Sequence, residues 1–251
     1  MIFVFLPAYN EELALPRLTA KINTVLRSSA GGYRIVVLDD GSSDATLRVA
    51  GELAQKYPVE VLRHEKNQGL GRTMIDGLKH CTQASSDNDL VVTLDCDDTH
   101  EPRYMIEAIE KIKEGNDVVI LSRYLKGGGE RGLSGMKSFL SRGAGWFLRI
   151  FFPMHGVQEY SCGYRVFRSS ILKKAHERFG DGFVRLAGHG FVVTPEILIK
   201  MNMLGARIAE VPFVLEYGQK SGQSKNRPLR TIGGYFLLVA LYWGRKAPRG
   251  A

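Results

Sequence analysis

Residues 90–94 read LVVTL and are followed directly by residues 95–100, which read DCDDTH. The apolar, β-rich run predicts a buried strand, and the acidic run places carboxylates at its carboxyl end. Open α/β sheets bind ligands at that edge. Asp95 and Asp97, one residue apart, suit a hard divalent ion such as Mg²⁺ or Mn²⁺. The simpler alternative is an acidic turn that caps a helix beginning near Glu101 and Pro102.

Strand-like and helix-like segments alternate around this stretch. The apolar runs predict strands near residues 2–6, 34–38, 59–63, 90–94 and 117–121. Helical patterns lie near residues 11–28, 44–57, 70–82 and 102–114. This alternation is typical of an α/β fold, in which helices flank a mostly parallel sheet.

Composition and charge narrow the class of protein. The chain has 251 residues, 44% of them hydrophobic, which is enough for one sizeable core. A net charge of +8 indicates a negatively charged partner, such as a nucleotide, an anionic lipid surface or a nucleic acid. Basic and apolar residues gather together in the second half, which favours a membrane surface. We find no nucleic-acid-binding module and therefore expect no nucleic acid partner.

The cellular setting is predicted from two further features. The first seven residues, MIFVFLP, lack a basic leader and a cleavage site, so they read as a first strand rather than a signal peptide. Three cysteines, widely spaced and odd in number, predict neither a disulfide framework nor a metal site. We therefore expect a reducing, cytoplasmic setting.

Polar loops also follow the first three predicted strands. They are residues 7–11 (PAYNE), 39–44 (DDGSSD) and 67–72 (NQGLGR). Helix capping explains the first loop completely, and much of the second. However, Asp39 and Asp40 are more than capping requires, and carboxylates at this edge can accept hydrogen bonds from a ribose or a base. Two glycines in the third loop would let a phosphate or a base approach the backbone.

The order PAYNE, DDGSSD, NQGLG and DCDD resembles that of family 2 glycosyltransferases with the GT-A fold, over roughly residues 3–124. The resemblance implies a D-x-D motif in which Asp95 and Asp97 hold Mg²⁺ or Mn²⁺, with Asp97 as the chief and catalytic ligand. It also implies a set of residues that bind the nucleotide sugar: Pro7, Ala8, Tyr9, Glu11, Asp39, Asp40, Asn67, Gly69, Arg72 and Asp95.

Elements of the second half resemble those of dolichol-phosphate mannosyltransferases and their bacterial relatives. They are residues 122–128 (SRYLKGG), 160–165 (YSCGYR), 210–212 (EVP) and 222–225 (GQSK). The resemblance implies metal-dependent, inverting transfer of mannose from GDP-mannose to a polyprenyl or dolichyl phosphate. The acceptor phosphate is largely a dianion at neutral pH, because its second pKa is about 6. It can attack without a strong general base, so no catalytic histidine is expected, and we interpret His100 as a loop residue.

The same resemblance assigns residues to the acceptor phosphate: Arg123, Arg131, Lys137, Ser141 and Lys225, with Lys220 as a further candidate. Arg123 and Lys137 are expected to be catalytic together with Asp97. The chain departs from the family pattern in two places. Glu159 replaces the usual Asp, and Lys137 replaces an Arg, which keeps the charge but loses bidentate geometry. Each cation could instead be an ordinary solvated base.

Two apolar segments predict contact with a membrane. On a helix, the segment from Lys137 to Phe152 places Arg142 and Arg149 on one stripe within a broad apolar surface, as in interfacial helices. A buried core helix is the alternative. Residues 231–244 carry no charge, but fourteen helical residues span only about 21 Å, too short for a bilayer core. We expect an interfacial or re-entrant helix, and a protein peripheral on the cytoplasmic face of a membrane. A small membrane-anchoring subunit is a candidate partner.

These features predict three regions. Residues 1–122 form a GT-A half that binds the nucleotide sugar, residues 123–228 form the acceptor half of the same domain, and residues 229–251 form a C-terminal interfacial helix with a basic tail. A UDP-sugar donor, carrying glucose or N-acetylglucosamine, or a saccharide acceptor is the alternative. A saccharide hydroxyl would require a general base, for which Glu159 and Asp98 are candidates. A non-catalytic nucleotide-sugar-binding protein ranks lowest, because it has no need of a metal at the leaving group.

Overall fold

One seven-stranded sheet organises the chain. The computed structural model describes residues 1–29, 31–219 and 228–245, the last range without the side chains of residues 228 and 229. Within these ranges the strands are β1 Ile2–Ala8, β2 Tyr33–Asp39, β3 Val59–Arg63, β4 Leu90–Thr93, β5 Val118–Ser122, β6 Gly129–Arg131, β7 Arg165–Arg168, β8 Ile208–Pro212 and β9 Val214–Glu216. The large sheet has the order β3-β2-β1-β4-β7-β5-β8, and β6 pairs with β9 in a small separate sheet.

Helices cover both faces of the large sheet. They are α1 Leu15–Leu26, α2 Thr46–Ala54, α3 Leu70–Ala84, α4 Met105–Lys113, α5 Gly135–Phe151, α6 Ser169–Phe179, α7 Val193–Met203 and α8 Pro228–Tyr242. A short 3₁₀ stretch, Ala187–Val192, precedes α7 and is called the 187–192 segment below. The α/β fold predicted from the alternation is confirmed. Helix α1 begins at Leu15 rather than near residue 11, because residues 12–14 form a turn before it.

The sheet is parallel except at one strand. Strand β1 pairs in parallel with both β2 and β4, β2 with β3, and β5 with β8. Strand β7 runs antiparallel between β4 and β5. Strands from before and after residue 122 therefore belong to the same sheet.

Both faces of β1 are buried, which explains its continuous apolar sequence. Phe3 and Phe5 pack into the core on one face, and Val4 and Leu6 into the core on the other. A strand exposed on one face would instead alternate apolar with polar residues.

Helix α5 lies mostly outside this core. Only Gly145 and Leu148 of its seventeen residues are buried, so the core-helix alternative is wrong. Its Phe147 ring meets Phe236 of α8, with centroids 5.3 Å apart. In the described ranges, no helix is long and apolar enough to cross a membrane.

Two helical glycines test how tightly the core is packed. A Cβ on Gly77 of α3 would overlap the ring of Phe5, whereas a Cβ on Gly51 of α2 would meet nothing within 4 Å. Both Gly→Ala changes gain about 1 kcal/mol of helix propensity. We expect Gly51→Ala to raise the melting temperature and Gly77→Ala to lower it, because overpacking costs about 1–3 kcal/mol. Thermal unfolding followed by circular dichroism measures both, and equal shifts would contradict the packing at Gly77.

Candidate active site

The polar loops converge at the carboxyl ends of β1, β2 and β4. The register places Ala8 beside Asp39 and Phe5 beside Thr93, so the three strands end at one edge. Two cavities open there, a polar one of about 760 Å³ and an apolar one of about 610 Å³. Asp95 and Asp97 line both cavities. The acidic pair predicted from the sequence therefore lies where the two cavities meet.

Eight of the ten residues predicted to bind a nucleotide sugar line the polar cavity: Pro7, Ala8, Tyr9, Glu11, Asp40, Asn67, Gly69 and Asp95. The structure does not bring Arg72 there, because its Nε donates to Asp76 Oδ2 at 2.6 Å. Asp39 is buried and absent from the lining. Its Oδ1 has no hydrogen-bond partner among the residues described. A buried carboxylate oxygen without a donor costs free energy, so a ligand N–H or O–H at this position would be stabilising.

Asp40 organises the loop after β3. Its Oδ1 accepts the N–H of Gln68 at 2.9 Å, and its Oδ2 accepts the N–H of Gly69 at 2.8 Å. The imidazole Nδ1 of His64 lies 2.7 Å from Asp40 Oδ1. Sequence reasoning missed His64, because its role depends on a partner 24 residues away.

The two glycines of this loop have different roles. Gly69 has a φ of +86°, a conformation that favours glycine, and a Cβ there would meet nothing within 4 Å. A Cβ on Gly71 would overlap the backbone of Ala187. The prediction of open backbone at both positions therefore fails at Gly71, where protein rather than ligand fills the space.

Hydrogen bonds fix the acidic loop after β4. Asp97 Oδ1 accepts the Oγ1–H of Thr99 at 2.6 Å and its N–H at 3.3 Å. The N–H of Asp95 donates to His100 Nδ1 at 3.0 Å. His100 is thus more than a plain loop residue, because it holds the backbone of Asp95 in place. The buried ring stacks on Tyr164, with centroids 5.1 Å apart.

The donor set of Asp95 and Asp97 suits a hard divalent ion, because carboxylate oxygens are the ligands that Mg²⁺ and Mn²⁺ prefer. Across the described ranges, no group of three or more His, Cys, Asp or Glu side chains could hold a metal. An ion bound here would therefore complete its shell with water and ligand oxygens, as Mg²⁺ does with phosphates. Asp98 does not join the pair, since its carboxylate contacts Lys21 at 2.9 Å and Arg17 at 3.6 Å.

The apolar cavity lies between the sheet edge and the helices α5 and α8. Leu140, Phe147, Tyr235 and Phe236 are among its walls. Its polar end is formed by Arg123, Lys137, Ser141 and Ser161, where Arg123 Nη2 lies within 3.3 Å of both serine hydroxyls. A mostly apolar channel with cations at one end can accommodate an amphiphile whose head is an anion.

Arg123 is bound on several sides by protein groups. Its Nε and Nη2 donate to the two oxygens of Glu159, at 2.7 and 2.9 Å, and its Nη1 donates to Glu130 at 3.0 Å. Nη2 also lies 3.1 Å from Ser161 Oγ and 3.3 Å from Ser141 Oγ. The predicted cation is therefore largely neutralised by protein carboxylates. Its role as a ligand of the acceptor phosphate stays a prediction.

The other predicted cations are arranged differently. Lys137 Nζ lies 3.1 Å from Tyr217 Oη and 5.0 Å from the centre of that ring. Arg131 pairs with Glu216 at 3.1 Å, is largely exposed and lines neither cavity. Lys220 and Lys225 lie outside the described residues. Lys137 therefore differs from the other predicted cations. It lines the apolar cavity, and no carboxylate in the described ranges forms an ion pair with it.

Neither candidate for a general base is available at the cavities. Glu159 is fully buried, and both of its carboxylate oxygens accept hydrogen bonds from Arg123. Burial by itself raises the pKa of Glu159, but the adjacent Arg123 guanidinium brings that pKa below its ordinary value. Asp98 is held by Lys21 and Arg17. The hypothesis that either carboxylate activates a saccharide hydroxyl is therefore not supported by this geometry.

Comparison with known proteins decides the family. Residues 3–175 match the model of glycosyl transferase family 2. The chain belongs to glycosyl transferase family 2.

Two curated relatives are similar over much of the chain. A dolichol-phosphate mannosyltransferase from Pyrococcus furiosus is 34% identical over 223 residues, which is 88% of this chain and 58% of that protein. A polyprenol monophosphomannose synthase from Mycolicibacterium smegmatis is 30% identical over 173 residues, covering 68% of this chain and 63% of that protein. The aligned parts span about three-fifths of the length of these relatives.

Solved structures of two other proteins share the fold. Glucosyl-3-phosphoglycerate synthase from Mycobacterium tuberculosis, in complex with Mn²⁺, UDP and phosphoglyceric acid, has a TM-score of 0.63 and 22% identity, covering 96% of this chain and 76% of its own. TarS residues 1–349 from S. aureus, in complex with UDP-GlcNAc, has a TM-score of 0.58 and 20% identity, covering 98% of this chain and 68% of its own. These similarities show that the chain shares its fold with both proteins.

The Arg123–Glu159 pair gives a stability prediction. Glu159→Ala leaves a buried guanidinium short of a partner and should lower the free energy of unfolding by about 3–5 kcal/mol. Glu216→Ala, the control, breaks the exposed pair with Arg131 and should cost less than about 1 kcal/mol. Urea unfolding at neutral pH measures both, and equal losses would contradict a structural role for the buried pair.

The same pair predicts a dependence on pH. The pKa of Glu159 is lowered by folding, so its contribution to stability is present above the ordinary carboxyl pKa of 4.5 and disappears as pH falls through the folded value. The difference in unfolding free energy between the wild type and Glu159→Ala should therefore shrink in acid. A difference that stays constant down to the acid unfolding transition would contradict a lowered pKa of Glu159 in the folded protein.

Proposed function

We propose that this protein transfers a sugar from a nucleotide sugar to a polyprenyl phosphate, with mannose from GDP-mannose as the favoured donor. The observation that carries the proposal is the meeting of a polar and an apolar cavity at Asp95 and Asp97. A nucleotide sugar needs a polar cavity, and the isoprene chain of a prenyl phosphate needs an apolar one. The names of the two curated relatives support the choice of mannose and of a polyprenyl acceptor.

The donor would occupy the polar cavity. Its nucleoside would lie against the loops that follow β1, β2 and β3, where Asp40, directly after β2, lines the cavity. Its diphosphate would then point toward Asp95 and Asp97. These two carboxylates would hold Mg²⁺ or Mn²⁺, which neutralises charge on a leaving diphosphate.

The acceptor would enter from the apolar cavity. Its isoprene chain would lie between α5 and α8, with the phosphate near Lys137 and Ser141 at the polar end. The phosphate oxygen would form a bond to C1 of the sugar as the bond from C1 to the diphosphate breaks on the opposite face. The configuration at C1 is thereby inverted. A phosphate dianion needs no general base for this step. This agrees with the ion pairs that already occupy the carboxylates of Glu159 and Asp98.

A lipid acceptor also requires access to a membrane. Helices α5 and α8 expose a set of large apolar side chains, called the aromatic face below: Met136, Phe139, Leu140, Trp146, Ile150, Ile232, Phe236 and Leu237, with Trp243 just beyond α8. Four of them, Phe139, Leu140, Ile232 and Phe236, also line the apolar cavity. An exposed apolar surface of this extent is unusual unless it binds something. Arg142 and Arg149 accompany it on α5, as expected for contact with anionic lipid. We propose that this face lies on the cytoplasmic surface of a membrane, next to the mouth of the apolar cavity.

The reaction is tested by transfer of labelled sugar into organic-extractable product. The protein is mixed with a short polyprenyl phosphate, Mg²⁺ or Mn²⁺, and GDP-mannose, UDP-glucose or UDP-N-acetylglucosamine in parallel. We expect lipid label from GDP-mannose, and its loss with EDTA. Asp97→Asn should abolish the label without changing the melting temperature, whereas exposed Asp181→Asn should leave it unchanged. Full activity in EDTA would refute the metal site.

The aromatic face predicts membrane binding. Phe139 and Trp146 of α5 are 73% and 63% exposed. Leu13 and Ile106, which line neither cavity, are 64% and 43% exposed. The double change Phe139→Ser and Trp146→Ser should reduce flotation with anionic lipid vesicles at least tenfold, because each buried aromatic contributes about 1.5–3 kcal/mol. The control Leu13→Ser and Ile106→Ser should float like the wild type. Wild-type protein that does not float with lipid would instead indicate a protein partner for this face.

A further inference from the structure

The polar cavity is lined by more negative than positive side chains, although its proposed ligand is an anion. Four carboxylates line it, those of Glu11, Asp40, Asp95 and Asp97. Among the described lining residues, Arg230 is the one that carries a fixed positive charge. One divalent ion at Asp95 and Asp97 would offset those two carboxylates and leave little positive charge for a diphosphate. A further cation in contact with the ligand would restore the balance.

Arg230 is placed to provide that charge. It lies in the first turn of α8, and its neighbour Thr231 lines both cavities. A Cβ built on Gly188 would lie 3.7 Å from Arg230 Nη2, so the guanidinium rests against the 187–192 segment. In the ranges that the structure covers, no carboxylate forms an ion pair with it. Arg123, in contrast, is engaged by two carboxylates.

Packing holds α8 in this position. A Cβ on Gly234 would lie 2.5 Å from Val192 Cγ2, so only glycine lets α8 approach the 187–192 segment this closely. At the other end of the helix, Tyr242 Oη donates to Glu196 Oε1 at 2.6 Å within the core. The wall that carries Arg230 is therefore tied to the core at two points along the helix.

We propose that Arg230 binds the diphosphate of the nucleotide-sugar donor. This inference rests on the proposed function, because it assumes a nucleotide in the polar cavity. A guanidinium can donate two parallel hydrogen bonds to phosphate oxygens, which makes it both a strong and an oriented contact. As the bond from C1 to the diphosphate breaks, negative charge grows on the leaving group, and Arg230 would stabilise it. The loss of Arg230 should affect diphosphate more than nucleoside recognition.

Isothermal titration of GDP, UDP and guanosine in the presence of Mn²⁺ tests the proposal. Arg245→Ala is the matched control, because Arg245 is an exposed arginine just beyond the other end of α8 and lines neither cavity. We expect Arg230→Ala to weaken binding of the preferred nucleoside diphosphate about tenfold or more. Guanosine binding should stay as in the wild type, and Arg230→Lys should recover part of the diphosphate affinity. Arg245→Ala should change nothing.

The outcomes separate this inference from the proposed function. If the wild type binds neither GDP nor UDP with Mn²⁺, the proposed function fails. If the wild type binds and Arg230→Ala binds equally well, the role of Arg230 is refuted while the function stands. Equal weakening by Arg230→Ala and Arg245→Ala, or equal weakening of diphosphate and nucleoside, would also overturn the inference, since neither pattern requires contact with the diphosphate.

Discussion

The parallel hydrogen-bond register of β1 with β2 and β4 is the constraint on which the site depends. It ends three strands at one edge and brings loops together that are more than 80 residues apart in the chain, such as residues 7–11 and 95–97. Both faces of these strands are buried, so a shift by one residue would move each side chain from one core into the other and disrupt the packing of both. The polar residues that follow the strands are thereby restricted to the open edge, where a ligand can satisfy them.

A second constraint is the burial of Arg123. A guanidinium in this position needs carboxylates, and Glu159 and Glu130 provide them. Both carboxylate oxygens of Glu159 accept hydrogen bonds from the guanidinium. One consequence concerns the acceptor. The charge of Arg123 is largely used inside the protein, which leaves Lys137 as the more available cation at the polar end of the apolar cavity.

Helix α8 connects the parts of the molecule. Its first turn lines the polar cavity through Arg230, its middle lines the apolar cavity through Tyr235 and Phe236, and its outer surface contributes to the aromatic face. A single helix is thus shared by the donor, the acceptor and the proposed membrane contact. The close packing at Gly234 and the Tyr242–Glu196 hydrogen bond keep these three surfaces in one arrangement.

Local patterns in the sequence were enough to predict the first five strands of the chain, the α/β fold, the acidic pair at Asp95 and Asp97, and most of the loops around the polar cavity. This worked because strand period, apolar runs and loop motifs are short-range properties. The four strands after residue 122 in the described ranges were not predicted. The tertiary structure alone decided which charges remain available. Arg72 turns to Asp76, Arg123 is held by Glu159, and Arg230 reaches the 187–192 segment. The physical reason is that the charge available to a ligand depends on nearby side chains and their burial, and for most of these groups those neighbours are distant in the sequence.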